Sequence, residues 1–300
     1  MKTIVIINSA AGTVVKSDGK LDADRLRALF RETGLNPEIH YVPPEAISAR
    51  LKEAVSQAPE CLVVGGGDGT INSAARLLAG TRMTLGLLPF GTLNHFATDL
   101  NISPELEKAV ATIAHGQVKE IDVGEVNGQI FLNNFSIGAY PAAVRERERL
   151  RQTHGHGKWR AMTLASFNVL RRLRRFRAQL EIDGQTMRTR TPFILVSNNH
   201  YAGHVFSRRL RERIDAGELW LYSTRAYHVL TLAQLGFRAL LGKLETAQAF
   251  ESRAARHISI TLRMPRLQGA IDGELRDFES PLHLQSRPRA LRVLVPADAA

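Results

Sequence analysis

The sequence contains a single cysteine, Cys61, which excludes a disulfide bond within the chain. It contains no uninterrupted apolar segment of about 18 residues, so we expect no transmembrane helix. The apolar run near Met1 is too short for a secretory signal peptide, and it predicts a buried first strand instead. Aromatic residues make up only 6% of the chain, and no aromatic platform for stacking single-stranded nucleic acid is evident. We therefore expect a cytoplasmic protein that does not bind nucleic acid.

Positive charge is concentrated in one part of a chain that is otherwise nearly balanced. The 300 residues carry a net charge of +11, and the segment 145–177 holds eleven arginines and lysines against Glu146 and Glu148. A helix is expected at Lys158–Arg175, where apolar residues can share one face and arginines another. Two interpretations stay open: a core-packed helix with a solvated arginine face, or a surface that docks on an anionic membrane.

The first part of the chain alternates strand and helix patterns. With 44% apolar residues, the composition is that of a globular protein with a substantial core. The β-α-β-α order predicts a doubly wound parallel sheet with helices on both faces. The predicted strands are Lys2–Asn8, Glu38–Val42, Leu62–Val64 and Thr84–Leu88, and the predicted helices are Leu21–Glu32, Pro44–Ser56, Ile71–Ala79 and Pro104–His115.

The rest of the chain reads mainly as strands separated by turn residues such as Asp183-Gly184, with a further helix expected at Val229–Lys243. This pattern predicts a β-sandwich. We place the boundary near residue 125, which gives an α/β domain at 1–125 and a β-sandwich domain at 126–290, and we expect the last residues, from about 290 to 300, to return to the first domain. The predicted strands are Gln129–Ile137, Arg177–Ile182, Thr191–Ser197, Glu218–Ser223, His257–Arg263, Gln268–Ile271, Leu282–Ser286 and Ala290–Val295.

The most informative motif is the glycine-rich run Gly65–Thr70, which stands between an apolar strand and a helix. Such a junction directs backbone N–H groups and a helix N-terminus at a phosphate. The run lacks the third glycine of a dinucleotide fingerprint, and no Walker A lysine motif occurs in the chain. Asp68 places a carboxylate beside this phosphate cradle, and a cation between the two would relieve their repulsion. The run therefore indicates Mg²⁺-nucleotide chemistry.

Two further turns follow predicted strands in the same part of the chain. Asn8–Gly12 follows the first strand, and Gly91–Asn94 follows the strand at Thr84–Leu88. The carboxyl ends of parallel strands in a doubly wound sheet meet at one edge. The three turns are therefore expected to converge on one phosphate site.

In their order along the chain, these motifs resemble those of the diacylglycerol kinase catalytic family. The resemblance extends over nearly the whole chain, and it implies a nucleotide domain, a β-sandwich domain and a cleft between them. The glycine–aspartate–glycine turn alone is shared with NAD kinases and phosphofructokinases, whereas the later motifs are more selective. The matching segments are Asn8–Gly12, Gly66–Thr70, Gly91–Ala97, Ile121–Gly124, Asn134–Gly138 and Asp272–Glu274.

The resemblance implies ATP and Mg²⁺ as cofactors and assigns residues to the site. It implies that Glu274 is the catalytic base, and either Glu274 or Asp68 could accept the proton of the attacking hydroxyl. Taken by itself, Asp272-Gly273-Glu274 is more typical of a hairpin turn. The implied nucleotide contacts are Tyr41, Gly66, Gly67, Asp68, Gly69, Thr70, Ile71, Asn72, Ser73, Gly91, Thr92 and Asn94.

Four positions depart from the family pattern. Ser9 replaces a proline, and Ser73 replaces the glutamate of a capping box, although Thr70 is still expected to cap the helix. His95 replaces an aspartate that can help to hold Mg²⁺, and Ala216 replaces a ligand carboxylate of a structural Mg²⁺ site. The other residues at that metal site are Arg213, Asp215 and Glu218: the two acids could substitute for the missing ligand, or Arg213 could instead neutralise them.

These observations favour a lipid kinase that transfers the γ-phosphoryl group of ATP to diacylglycerol or another lipid alcohol. Its partners would be the lipid substrate and, through the segment 145–177, an anionic membrane surface with which it associates peripherally. Two alternatives stay open: a kinase of a soluble substrate such as NAD, and a nucleotide-binding regulatory protein with degraded catalysis. The sequence predicts neither the acceptor lipid nor the choice between monomer and homodimer.

Overall fold

The fold is that of a computed structural model, which describes residues 1–12, 23–142, 144–145, 175–201, 211, 213–224 and 250–297. The expected helix Val229–Lys243, and all of the expected helix Lys158–Arg175 except its last residue, lie outside the described residues. The chain forms two compact units: residues 1–123 with 288–300, and residues 124–287.

The first four strands alternate with helices, and the later part of the chain is built mainly from strands. In the part of the chain that the structure describes, no helix is long and apolar enough to cross a bilayer. The helices are α1 (Ala23–Glu32), α2 (Ile47–Ser56, after a 3₁₀ turn at Pro44–Ala46), α3 (Asp68–Leu78), α4 (His95–Asp99) and α5 (Leu106–His115). The strands are β1 (Thr3–Asn8), β2 (Glu38–Val42), β3 (Cys61–Gly66), β4 (Thr84–Pro89), β5 (Gln117–Val126), β6 (Gln129–Phe131), β7 (Asn134–Gly138), β8 (Phe176–Ile182), β9 (Gln185–Thr191), β10 (Phe193–Asn198), β11 (Leu219–Thr224), β12 (Phe250–Ala255), β13 (His257–Leu262), β14 (Arg266–Ile271), β15 (Glu274–Glu279) and β16 (Leu282–Val295).

The first unit contains a parallel sheet with helices on both faces. The strand order is β2-β1-β3-β4-β16, and every pairing in this series is parallel. One core cluster joins Val5 and Ile7 of β1 to Leu26 and Phe30 of α1 and to Ile113 of α5. The alternate strand residues face the other way, where α2 packs against β1 and α3, and α3 packs against β3 and β4. The predicted doubly wound α/β architecture is confirmed.

The second unit is a sandwich of antiparallel sheets. One sheet has the strand order β12-β11-β10-β7-β14-β15. The facing sheet pairs β9 with β8, β8 with β13, and β13 with the first part of β16. The core between the sheets contains Phe135 and Ile194 from the first sheet and Leu180 and Ile260 from the second. The predicted β-sandwich is confirmed.

Several element boundaries differ from the prediction. The third helix begins at Asp68 and not at Ile71, because Thr70 and Ile71 already donate their N–H groups to the carbonyl of Gly67. The predicted strand at 129–137 is divided into β6 and β7. The two strands predicted at 282–286 and 290–295 are one strand, β16, in which Asp122 accepts the N–H of the left-handed Arg289 (2.9 Å).

The prediction also missed β9 and β15, which complete tight hairpins. Their turns are Asp183-Gly184 (φ 45° and 85°) and Asp272-Gly273 (φ 50° and 83°), with the two positive φ values that a type I′ turn requires. Most residues of both strands are polar and only partly buried or exposed, so the apolar alternation that identifies a strand is weak. The strands β5 and β12 and the short helix α4 were likewise not predicted.

Cys61 lies on the central strand β3 and is expected to be inert in the folded protein. Its side chain is fully buried, and burial raises the pKa of the thiol to about 12, so the reactive thiolate is scarce at neutral pH. We expect iodoacetamide to label native Cys61 at least ~1,000-fold more slowly than the urea-unfolded chain. Mass spectrometry of timed samples measures both rates, and equal rates would contradict this prediction.

Candidate active site

Three turns at the carboxyl ends of β1, β3 and β4 meet at one edge of the parallel sheet. In the first turn, Asn8 accepts the N–H of Ala10 through Oδ1 (3.0 Å). Asn8 also donates from Nδ2 to Oγ1 of Thr70 (3.1 Å), which ties this turn to α3. Ser9 donates its N–H to the carbonyl of Val42 on β2 (3.0 Å), and the proline of the family pattern could not make this bond.

The second turn leads into α3 without a side-chain cap. The N-cap residue is Gly67, whose backbone is extended (φ −88°, ψ −179°), and it makes no side-chain cap hydrogen bond. The prediction that Thr70 caps this helix is wrong, because the helix begins two residues earlier and the Thr70 hydroxyl accepts the bond from Asn8. The N–H groups of Asp68 and Gly69, the first two residues of α3, are therefore able to donate to a ligand.

Asp68, the first residue of α3, connects the second turn to the third. Its partly buried carboxylate accepts the N–H of Phe96 in α4 through Oδ1 (3.3 Å). Its Oδ2 has no hydrogen-bond partner among the described residues. One oxygen of Asp68 thus holds α4 beside α3, and the other is available to a cation or a hydroxyl group.

The third turn is held by Asn94, which adopts the left-handed backbone conformation (φ 51°). Its Oδ1 accepts the N–H of Gly91 (2.9 Å), and its Nδ2 donates to the carbonyls of Pro89 (3.1 Å) and Gly91 (3.0 Å). Gly91 packs so closely against Gly67 that a Cβ on Gly91 would lie 2.6 Å from the Cα of Gly67. Glycine is therefore required where these two turns touch.

The remaining predicted nucleotide contacts surround these turns. Ser73 donates its hydroxyl to the carbonyl of Gly69 (2.9 Å), so it does not replace the missing glutamate of the capping box. Asn72 is 1% exposed, and neither polar atom of its amide has a partner in the described structure. Tyr41 is partly buried near the carboxyl end of β2, and Thr92 is exposed. The structure thus brings the predicted residues of the first unit to one edge of its sheet.

Glu274 lies in the second unit, at the hairpin between β14 and β15. Asp272 and Gly273 form the turn, and Ile271 pairs with Glu274 across it. The carboxylate of Glu274 is 40% exposed and accepts a hydrogen bond from Nη2 of Arg276 (3.1 Å). The hairpin interpretation of this motif is therefore correct for the backbone, and it leaves the Glu274 carboxylate accessible at the start of β15.

Asp272 has an anchoring role that the sequence did not indicate. Its carboxylate accepts three backbone N–H groups, from Leu132 (3.0 Å), Asn133 (2.8 Å) and Asn134 (3.0 Å). Arg211, which is 1% exposed, donates to the carbonyl of Leu132 (2.7 Å) and to Oδ1 of Asn133 (3.0 Å). These two charged side chains fix the loop between β6 and β7, and Asp272 ties that loop to the hairpin.

Replacing Asp272 by alanine is expected to lower the free energy of unfolding by about 3 kcal/mol, because three N–H groups lose a charged acceptor. Urea unfolding followed by circular dichroism measures this loss. Asp277→Ala is the matched control, since Asp277 is exposed on β15 and makes no hydrogen bond or ion pair in the described structure. We expect the control to change the free energy by less than about 0.5 kcal/mol. Equal losses in the two variants would contradict the anchoring role.

The positions of the family's structural Mg²⁺ site carry other contacts here. Nε of Arg213 lies 3.5 Å from Oδ1 of Asp215, and Glu218 accepts the indole N–H of Trp220 (2.6 Å). Within the described ranges, no group of three or more His, Cys, Asp or Glu side chains is placed to hold a metal ion. The structure therefore does not bring Arg213 and Glu218 into a cluster of metal ligands.

The first unit matches a known sequence family. Residues 2–126 match a model of the diacylglycerol kinase catalytic domain. The chain is 32% identical over 160 residues to a probable lipid kinase YegS-like protein of Cronobacter sakazakii (strain ATCC BAA-894). The aligned segment covers 50% of this chain and 54% of that protein. A protein of the same description from Yersinia pestis (strain Pestoides F) is 32% identical over 147 residues, or 47% of this chain and 48% of the relative. The matches thus span about half the length of these curated relatives.

Solved structures share the fold over the whole chain. A crystal structure of a diacylglycerol kinase from Bacillus anthracis str. Sterne has a TM-score of 0.71 and 19% identity, and the match covers 100% of this chain and 98% of that one. A second structure from the same organism has a TM-score of 0.75 and 20% identity with the same coverage. At these identities the likeness establishes the fold. The match of residues 2–126 to the model of the diacylglycerol kinase catalytic domain agrees with the resemblance read from the motifs.

Proposed function

We propose that the protein is an ATP-dependent lipid kinase that transfers the γ-phosphoryl group of ATP to a hydroxyl group of diacylglycerol or a related lipid alcohol. The observation that carries this proposal is the convergence of three turns on an uncapped helix N-terminus, within a segment that matches the model of the diacylglycerol kinase catalytic domain. A lipid acceptor is supported by the curated relatives, which are described as probable lipid kinases.

The residues at the three turns fit the phosphates of a nucleotide. The first turn of α3 offers backbone N–H groups together with the positive end of the helix dipole. Gly67 and Gly91 carry no Cβ, so the backbone can approach an anion closely. The unpartnered amide of the buried Asn72 adds polar atoms near this helix end. The proposed nucleotide contacts are Tyr41, Gly66–Ser73, Gly91, Thr92 and Asn94.

Two acidic residues have proposed roles in the transfer. Asp68 would hold Mg²⁺ through Oδ2, and the metal would neutralise charge on the phosphates. Glu274 would accept the proton of the lipid hydroxyl while the hydroxyl oxygen forms a bond to the γ-phosphorus and the bond from that phosphorus to the bridging oxygen breaks. ADP and a phosphorylated lipid would be the products.

Incubation of the purified full chain with Mg²⁺, radiolabelled ATP and a lipid mixture tests this proposal. Thin-layer chromatography is expected to show a labelled phospholipid whose formation requires Mg²⁺. A parallel assay of NADP formation tests the alternative of a soluble acceptor. Labelled NADP in place of labelled lipid, or ATP binding without turnover on any lipid, would overturn the proposal.

We further propose that the protein is cytoplasmic and associates peripherally with an anionic membrane, where its lipid acceptor resides. The support is the basic segment 145–177, of which residues 146–174 lie outside the described structure. Basic segments of this kind are attracted to the negative surface of a bilayer. Salt-dependent binding to anionic vesicles is the expected result.

A further inference from the structure

One sheet of the β-sandwich has an outer face that takes no part in the core. Ala178 and Leu180 of β8 and Ile260 of β13 point into the core between the two sheets. Because side chains alternate along a strand, the residues between them face away from the core. The side chains on the outer face of β9, β8 and β13 are therefore not needed for the core and are available to contact a partner.

Arginines crowd one end of this outer face. Arg177 on β8 lies directly opposite Arg190 on β9, and Arg188 lies two residues from Arg190 on the same face. Leu262 on β13 pairs with Ala178 on β8 in an antiparallel register. The next residue, Arg263, therefore lies beside Arg177. All four arginines are exposed. We call them the basic ladder, which consists of Arg177, Arg188, Arg190 and Arg263.

The basic ladder does not contribute to the stability of the fold. Like charges that lie directly opposite each other in a sheet are destabilising. None of the four arginine side chains makes a hydrogen bond or an ion pair with residues that the structure describes. Glu181 is the only acidic residue of β8, β9 and β13, and it lies opposite Ser259 and Thr186, four residues from Arg177. Among the residues that the structure describes, the ladder is therefore a positive surface without compensating acids, and such a surface attracts an anionic partner.

An exposed apolar side chain stands at the end of the ladder. Met264 follows Arg263 in the turn between β13 and β14, and it is 51% exposed. Arginines around an exposed apolar side chain suit a lipid surface, where the charges meet the headgroups and the apolar group reaches the acyl chains. A second copy of the chain fits this face less well, because its own ladder would be brought against an identical charge.

We propose that the basic ladder and Met264 form a docking surface for an anionic phospholipid membrane. The surface is built from strands and is distinct from residues 146–174. Its purpose rests on the proposed lipid kinase function, since such an enzyme has to reach a bilayer. Its binding can be measured without ATP, so the two proposals fail separately.

Sedimentation of the full chain with lipid vesicles tests the docking surface. Vesicles of equal parts phosphatidylserine and phosphatidylcholine are expected to bind the protein at low salt, and pure phosphatidylcholine vesicles to bind it far more weakly. Each arginine near an anionic surface strengthens binding about fivefold, so Arg177→Gln/Arg188→Gln/Arg190→Gln should bind about 100-fold more weakly. The double variant Arg188→Gln/Arg190→Gln leaves the segment 145–177 intact and should bind about 25-fold more weakly.

A charge-matched control removes three exposed arginines from other elements. The variant Arg31→Gln/Arg82→Gln/Arg253→Gln loses the same charge and is expected to bind within about threefold of the wild type. Thermal melting of the ladder variants should be unchanged or slightly raised, because repulsion is removed. This result would exclude unfolding as the cause of weaker binding.

The possible results separate the partners. Wild-type binding by the double variant, or an equal loss in the control, would overturn the docking surface. The wild type could instead self-associate without binding vesicles, and the triple variant could lose this self-association. That result would overturn the docking surface in favour of a second copy of the chain. Weaker vesicle binding by the ladder variants than by the wild type would support the docking surface. If the wild type also phosphorylates no lipid in detergent micelles, the proposed function alone would be rejected.

Discussion

The variant Glu274→Gln is expected to lower kcat for lipid phosphorylation by about 10²–10⁴-fold, the usual contribution of a general base. Glutamine keeps the size of the side chain, but its amide cannot accept the proton of the lipid hydroxyl. The fold should be unaffected, since the ion pair with Arg276 is a surface pair that contributes at most about 1 kcal/mol. Initial rates with radiolabelled ATP at saturating lipid measure kcat, and circular dichroism checks the fold.

Arg276→Gln is the control for the ion pair. It removes the guanidinium but keeps the Glu274 carboxylate, so the rate should stay within about threefold of the wild type. The KM for ATP in Glu274→Gln is expected to be unchanged, because the proposed nucleotide contacts belong to the first unit. A wild-type rate in Glu274→Gln would exclude Glu274 as the base. Equal losses in both variants would show that the ion pair, and not proton transfer, is what the substitution disturbs.

The fold could be predicted where apolar spacing alone determines an element. The strands β1, β3 and β4 are almost entirely buried, so their apolar runs stand out between turn residues. The strands β9 and β15 could not be predicted in this way, because they are mostly polar and each is defined by pairing across a tight hairpin. The prediction divided β16 into strands at 282–286 and 290–295, and the strand is continuous because Asp122 holds the backbone of Arg289.

The candidate site could be located from the sequence, but the contacts within it could not be predicted. Glycine spacing identifies the turns, since only glycine suits their close approach. The bond from Phe96 to Asp68 and the three bonds to Asp272 join segments that are far apart in the chain, and no local pattern encodes them. The capping prediction for Thr70 was wrong because α3 begins at Asp68, before Thr70, and because the Thr70 hydroxyl accepts a bond from the distant Asn8.

The variant Gly91→Ala is expected to weaken nucleotide binding by up to about 100-fold, because overpacking costs about 1–3 kcal/mol and about 1.4 kcal/mol is tenfold in Kd. The new Cβ would lie 2.6 Å from Oδ1 of Asn94 and 2.6 Å from the Cα of Gly67, closer than non-bonded atoms approach. One neighbour is backbone, and the other is held by three hydrogen bonds. Relief of the contact with Gly67 moves the second turn away from the third, and relief of the contact with Asn94 breaks the hydrogen bonds that hold the third turn.

Gly67→Ala is the graded comparison on the other side of the same contact. Its Cβ would lie 3.4 Å from the Cα of Gly91, which is an ordinary contact, and its φ of −88° suits any residue. We expect it to weaken binding by at most about tenfold. Titration of the full chain with a fluorescent ATP analogue measures both affinities, and circular dichroism checks the fold. Both variants replace a glycine and add one methyl group, but only Gly91→Ala creates a clash. The ratio of their affinities for the ATP analogue therefore measures the effect of the clash alone. Equal affinities would therefore contradict the view that contact between these turns shapes the nucleotide site.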